Sequence, residues 1–436
     1  VLLDKTTLKD LSFSRGDQDI FGRINKCTTQ AGSDVLWQHV LQPPGSYGLL
    51  IERQNAVRFW MNQLTRWSSE ISNGTLVMIG KFYESADGLA GAGHSLALGL
   101  NAMLQKLFNK NAYSFLRFSL SHLTDFFKGC KQLADLLQAD PPLEVKRELE
   151  QMNTALQLPL VATMLNLRAN SPQPAILRLS YRARRELKQT VYKLVDCYAR
   201  LDAQQAMARA TMENGWHLPA LLPAADIHFT AQGLYHPLLQ QPVSYDIYFS
   251  KTQNFLFLTG ANMSGKSTLI RALGVAALLA HLGMGVPAAN MEISFLDGII
   301  TNMQVEDNIF LGESYFFAEV QRMKLTAQKL SNSRYHLVLM DELFKGTNVH
   351  DAYECSRAVI EGLLKRSDNL MALSTHLNEL SEVLHQPNVW FRYFYTKIDT
   401  DHTYTFTYQV KEGVSKDRIG YLVLKKEGVL DLLESR

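Results

Sequence analysis

Cysteine is sparse and dispersed in this sequence: Cys27, Cys130, Cys197 and Cys355 form no Cys-x-x-Cys pair and no compact disulfide framework. They read as reduced, buried thiols, and a disulfide-stapled scaffold is excluded. Long apolar runs are missing as well. No uninterrupted stretch approaches the roughly 20 residues that a membrane-spanning helix requires, and the N-terminus lacks a signal-peptide pattern. No membrane segment is therefore expected, and a cytoplasmic location is. Charge of one sign is not in excess, since 44 Lys plus Arg face 42 Asp plus Glu. No overall basic field announces a nucleic acid, and any such surface has to be a local patch. Repeats and low-complexity tracts are also absent. The chain opens on Val1 rather than methionine and reads as a processed or trimmed piece of a longer protein.

What is present is apolar material in quantity. The 436 residues, 46% of them hydrophobic, suffice for two or more domains with separate cores. From about Leu2 to Ala210 the apolar residues recur at helical spacing, as in Val57-Trp60-Met61-Leu64 and Leu120-Leu123-Phe126-Phe127, so this half is expected to be largely α-helical. Pro141-Pro142 and Ser171-Pro172-Gln173-Pro174 interrupt that pattern, because proline lacks a backbone donor and restricts its predecessor. Between Asn214 and Ser244 stand Pro219, Pro223, Pro237 and Pro242, and the pattern then changes to short apolar runs alternating with helices. This places a helical domain over 1–225 and an α/β domain over 226–436. Phe255-Leu256-Phe257-Leu258, His336-Leu337-Val338-Leu339-Met340 and Leu370-Met371-Ala372-Leu373-Ser374 suit buried parallel strands. The aromatic-rich runs from Trp390 to Ile398 and His402 to Val410 suggest an antiparallel hairpin.

The strongest chemical signal is Gly260-Ala261-Asn262-Met263-Ser264-Gly265-Lys266-Ser267, followed by Thr268. It matches G-x-x-x-x-G-K-S/T, after an expected strand and before an expected helix. Glycines let such a loop wrap phosphate oxygens with backbone N–H groups, the helix offers its positive N-terminus, and Lys266 adds a charge at the β- and γ-phosphates. Ser267 would supply a hydroxyl to Mg2+. About 75 residues later an apolar strand ends in Asp341-Glu342, at the carboxyl edge where α/β sheets bind ligands. Asp341 can hold Mg2+ directly or through water, and Glu342 can polarise the water that attacks a γ-phosphate. ATP with Mg2+ is the expected ligand pair, and ATP hydrolysis the expected reaction. His376, in Ser374-Thr375-His376 after the third strand, would lie near the same edge, where a lone histidine is more often structural.

These motifs, with Gly285-Val286-Pro287-Ala288 and Gly346-Thr347, resemble in order those of the MutS family, the ATPases of DNA mismatch repair, and more broadly the ABC-type ATPases. The likeness runs from about Tyr235 to Gly428. It implies an ABC-type P-loop fold, a mostly parallel sheet with helices on both faces, preceded by a helical core and lever domain. Asp307-Asn308-Ile309-Phe310-Leu311-Gly312-Glu313-Ser314 looks like the family's signature loop, so the resemblance implies that Ser314 acts in trans on the nucleotide of a partner subunit. It likewise makes His376 a sensor of the γ-phosphate, sets Asn262 beside the attacking water, and implies a homodimer on DNA. Leu3-Asp4-Lys5-Thr6-Thr7-Leu8, Thr28-Thr29-Gln30-Ala31-Gly32 and Ile51-Glu52-Arg53-Gln54 resemble the start of the MutS core, and Trp216-His217-Leu218-Pro219 its end. The stretch from roughly Thr65 to Tyr192 would be the levers.

Departures from the family narrow what is expected. The core segment is short, so the DNA clamp is expected to be reduced or absent, and no terminal helix-turn-helix is expected. Lys345 stands where arginine is usual, Asn348-Val349-His350 replaces a serine-threonine run, and Pro242 takes the place of the aromatic that stacks on adenine. Phe82-Tyr83-Glu84 resembles the wedge that probes mismatches, but it follows the core start instead of preceding it, which favours a structural role. Without a mismatch reader, the DNA could be mismatched, branched or plain duplex. Arg178, Arg182, Arg184, Arg185 and Lys188 form a basic cluster that fits either phosphate contacts or a solvated helix face. The alternative function is an ABC-class ATPase coupled to a protein or membrane partner. Against it, the transporter signature Leu-Ser-Gly-Gly-Gln is missing.

Overall fold

The computed structural model of the chain describes residues 3–68, 70–85, 110–167, 171–224, 227–303, 315–384, 386–398, 404–415, 423–424 and 429–434. Two compact units emerge, one from Val1–Arg23, Leu41–Ile51 and Thr211–Arg436, the other from Ile24–Val40 and Glu52–Ala210. The units thus divide differently from a single boundary near residue 225. Two N-terminal segments belong with the second half of the chain, through long-range contacts that local periodicity does not announce.

In the second unit every described element is helical. Its helices lie within α3 (Gln30–Leu41), α4 (Tyr47–Gln63), α5 (Asn73–Glu84), α6 (Lys110–Ala134), α7 (Leu143–Leu156), α8 (Pro159–Leu165), α9 (Gln173–Glu186) and α10 (Lys188–Glu213), following α1 (Lys5–Asp10) and α2 (Ile20–Ile24). Along α6, Leu116, Leu120, Leu123, Phe127, Cys130 and Ala134 recur every three or four residues, and all are buried. This is the stripe an amphipathic helix turns to its core. The prolines act as helix openers: Pro142 and Pro172 sit at the N-caps of α7 and α9, and Pro159 begins α8. A missing N–H costs nothing there, because the first turn has no intrahelical acceptor for it. The buried carboxylate of Asp202 accepts the N–H groups of Thr28 and Thr29, each at 2.9 Å, and so fixes the start of α3.

The wedge-like pair is core material. Phe82 is fully buried, Tyr83 donates to the Ala183 carbonyl at 3.3 Å, and the Arg184 guanidinium lies 4.7 Å from the Phe82 ring centre. Within the basic cluster, Arg182 pairs with Glu186 at 2.8 Å and Arg185 donates to the Tyr181 hydroxyl at 3.0 Å.

The first unit is α/β. Its larger sheet has six strands in the order β10-β9-β4-β8-β7-β6. These are β4 (Phe255–Gly260), β6 (Gly298–Asn302), β7 (His336–Asp341), β8 (Leu370–Ser374), β9 (Val389–Ile398) and β10 (Tyr404–Glu412). Five run parallel and β10 closes the edge as the antiparallel arm of a hairpin. Every residue of β4, β7 and β8 is buried, as continuous apolar runs require in a sheet covered on both sides. Val338 and Met340 cluster on one face with Ile360, Leu363 and Leu364 of a helix over Val349–Leu364 (α13). On the other face Gly274 of the helix Lys266–His281 (α11) lies against Leu339. A second sheet, in the order β1-β5-β2-β3, joins Ala220–Leu222 (β1), Phe229–Leu234 (β2), Tyr245–Phe249 (β3) and Asn290–Ser294 (β5). It has no counterpart in the sequence reading, because its strands are short and only half-buried.

Candidate functional site

The glycine loop leaves β4 and enters α11, and its backbone explains its composition. Gly260 and Gly265 adopt φ of 140° and 111°, and Met263 is left-handed at 66°. A Cβ on Gly260 would stand 3.1 Å from both Phe394 and Ser264, and one on Gly265 would stand 3.1 Å from the Phe394 ring. Positive φ and crowding together leave room only for glycine. Gly265 caps the 16-residue helix α11 without a side-chain hydrogen bond, so the first turn presents N–H groups that an anion can take.

Lys266 opens that helix and is itself buried. Its Nζ donates to the carbonyls of Gly260 at 2.8 Å and Ala261 at 2.9 Å, and lies 3.5 Å from His376 Nε2. Burial pulls the ammonium down to about 8, against the opposing pull of Glu342 and Asp341. The sheet brings the acidic pair alongside, because β8 lies between β4 and β7. Ser374 pairs with Leu258 on one side and with Asp341 on the other, so three carboxyl ends finish level.

At that level Asp341 accepts a hydrogen bond from the Ser374 hydroxyl. Glu342 donates its N–H to the Ser374 carbonyl at 2.9 Å and has a left-handed φ of 56°. Its carboxylate lies 2.8 Å from His376 Nε2 and 3.1 Å from Lys345 Nζ. The hydrogen bond from His376 is the main reason its pKa drops to about 2, with Lys345 adding to the effect and burial opposing it.

Lys266 and Glu342 border a cavity of about 460 Å³ whose lining also includes Asn262, Met263, Gly265, Ser267 and Thr268, with His236, Val243, Tyr245 and Tyr408 among its other walls. The size is ordinary for a small-molecule site. Burial, and then proximity to Tyr408, push the Tyr245 phenol up to about 12. Burial and then Arg271 pull His236 down to about 4, so its imidazole is neutral. These walls were not anticipated: Tyr408 arrives by a bulge in β10, with a φ of 55°, from a strand 140 residues beyond the loop. Ser314 and the rest of the expected signature loop lie outside the described residues.

For a magnesium ion the donor set is suitable. Among the described residues no group of three or more His, Cys, Asp or Glu is placed to hold a metal. Magnesium accompanying a nucleotide needs only one or two protein oxygens, since phosphates and water complete its shell. Ser267 and Asp341 offer that minimum. Among the described residues no helix is long and apolar enough to cross a membrane.

A glycine-and-lysine loop between a buried parallel strand and a helix, with an acidic strand end two strands across, defines the P-loop class of α/β domains. The family model for MutS domain V matches residues 256–432, so the likeness to the MutS family is carried by that stretch. It is 31% identical over 254 residues to the DNA mismatch repair protein MutS of Thermotoga maritima, covering 57% of this chain and 31% of that protein. It is 30% identical over 271 residues to MutS of Aquifex pyrophilus, covering 59% and 31%. With the DNA mismatch repair protein msh3 of Aspergillus niger it shares 31% over 245 residues, covering 53% and 21%. The matched stretch thus spans less than a third of each relative's length.

Proposed function

We propose that this chain is a Mg2+-dependent ATPase of the MutS type that acts on DNA in mismatch repair or in the processing of branched DNA. The observation that carries the proposal is the convergence of Lys266 and Glu342 on one cavity beside the glycine loop, with His376 Nε2 3.5 Å from the first and 2.8 Å from the second. The names of the relatives supply the DNA context. In this reading the loop amides and Lys266 bind the β- and γ-phosphates, and Ser267 and Asp341 hold Mg2+, which supplies charge compensation. Glu342 takes a proton from the attacking water, with Asn262 beside that water. Both cationic or hydrogen-bonding partners of Glu342, Lys345 and His376, can turn to an incoming γ-phosphate, which frees the carboxylate to act as a base. His376 thereby senses the phosphate.

Two copies would complete each site, with Ser314 of one subunit serving the nucleotide of the other. ABC-type closure around ATP would then move the helical half as a set of levers. The test is hydrolysis by the purified chain with and without homoduplex, mismatched and branched DNA. Glu342→Gln is expected to bind ATP and to turn it over at least roughly 100-fold more slowly. Normal turnover by that variant would remove Glu342 from its role, and indifference to every DNA would favour coupling to a protein or membrane partner.

A further inference from the structure

The loop after the acidic pair is bent against local preference. Glu342 and Phe344 both adopt left-handed backbone, at φ of 56° and 58°, a conformation that side chains with a Cβ hold only when their surroundings impose it. The surroundings are a helix over Tyr315–Asn332 (α12). Phe344 is buried with its ring centre 6.0 Å from that of Phe316. Gly346 lies flush on the first turn, where a Cβ would come within 2.5 Å of the Tyr315 ring and 2.6 Å of the Phe316 nitrogen. Glu319, one turn along, is buried and presents both carboxylate oxygens to the loop. Oε1 accepts the N–H of Lys345 and Oε2 that of Gly346, each at 3.0 Å.

A group can position another only if it is itself held. Helix α12 is held along its length: Arg322 donates to the Thr301 carbonyl at 3.0 Å and pairs with Asp10. Thr326 accepts from Asn302 at 3.0 Å, and Lys329 pairs with Asp4. Glu319 therefore projects from a helix anchored at three further points.

We propose that Glu319 is a positioning residue of the nucleotide site, whose carboxylate grips the loop beyond Glu342 and so sets where the Glu342 carboxylate stands relative to Lys266 and His376. The inference rests on the reading of Glu342 as the group that activates water. Two consecutive amide donors suit a carboxylate, which is acceptor-only. A glutamine there keeps the shape but turns an NH2 toward one of those N–H groups, donor against donor. The loop shifts by a fraction of an ångström, enough to misplace a base without removing it.

The test uses the full chain, with steady-state ATP hydrolysis, calorimetric titration with a nonhydrolysable ATP analogue, and thermal melting. Wild type and Glu342→Gln come first, since a wild type that does not hydrolyse ATP sinks the hydrolysis reading and this inference with it. Given active wild type, Glu319→Gln is expected to lose roughly 10- to 100-fold in kcat, with analogue affinity, KM and melting unchanged. Placed on the Glu342→Gln background, it is expected to slow the residual rate no further, because a residue acting through Glu342 has nothing left to position. Gly346→Ala displaces the same loop while leaving the Glu319 carboxylate intact, and is expected to give the same split between kcat and affinity. Full kcat in Glu319→Gln would overturn the inference while leaving the function of the site intact. So would a loss that multiplies with that of Glu342→Gln, or a parallel fall in affinity and melting.

Discussion

Gly265 ties conformation to chemistry more tightly than any other residue of the loop. With a φ of 111° and a Phe394 ring carbon 3.1 Å from where a Cβ would sit, Gly265→Ala has to distort the turn that delivers Lys266. The expected outcome is a destabilisation of about 1–2 kcal/mol in melting experiments and a nucleotide affinity reduced at least roughly tenfold in titration. Melting and binding like those of the wild type would mean that the loop relaxes freely. At this scale Gly265, Lys266, Asp341 and Glu342 were legible, because each chemistry requires a fixed residue type at fixed spacing around a strand end. Tyr245, Tyr408 and Glu319 were not, since they come from elements separate from the motifs they adjoin and no local pattern marks them.

Helix α11 carries, besides the loop, a device sensitive to acid. His281, fully buried at its last turn, places Nδ1 2.7 Å from the Ala277 carbonyl and accepts the Leu296 N–H on Nε2 at 2.9 Å. The first contact requires a proton on Nδ1 and the second requires none on Nε2, so the packed imidazole is neutral. Burial accordingly holds its pKa down at about 4. The unfolded chain takes up a proton near 6.5 that the folded chain refuses, so this contribution is intact above pH 6.5 and is lost as pH falls toward 4. As much as about 3 kcal/mol is at stake. Denaturation midpoints followed from pH 7 to 4 are expected to fall less steeply in His281→Gln than in wild type, and equal slopes would exonerate the histidine.

The strands of the larger sheet were readable because burial on both faces leaves an unbroken apolar run. The hairpin of β9 and β10 showed in its aromatics. The smaller sheet was not readable, since β2 pairs with β5 across β3, β4 and α11 and its residues alternate over only a few positions.

For the molecule as a whole, a ligand that binds only the folded state adds stability by mass action. Mg2+ with ATP analogue at 100 times its dissociation constant is expected to stabilise the unit that holds the cavity by about 2.7 kcal/mol. This is measurable as an upward shift in melting and is abolished in Lys266→Ala. No shift in wild type would mean that the cavity does not take the nucleotide. The helical character of the first half and the α/β character of the second were visible in their periodicities. The composition of the units was not, because Asp10 finds Thr301 and Arg322 across some 300 residues of sequence.

That separation has a consequence during synthesis. Asp10 and Thr301 are 291 positions apart, and a ribosome adding about 5–20 residues per second needs about 15–60 s to make the second after the first. Throughout that interval the apolar side of α1, with Leu8 and Leu11, waits on the nascent chain for a sheet edge that has not yet been translated.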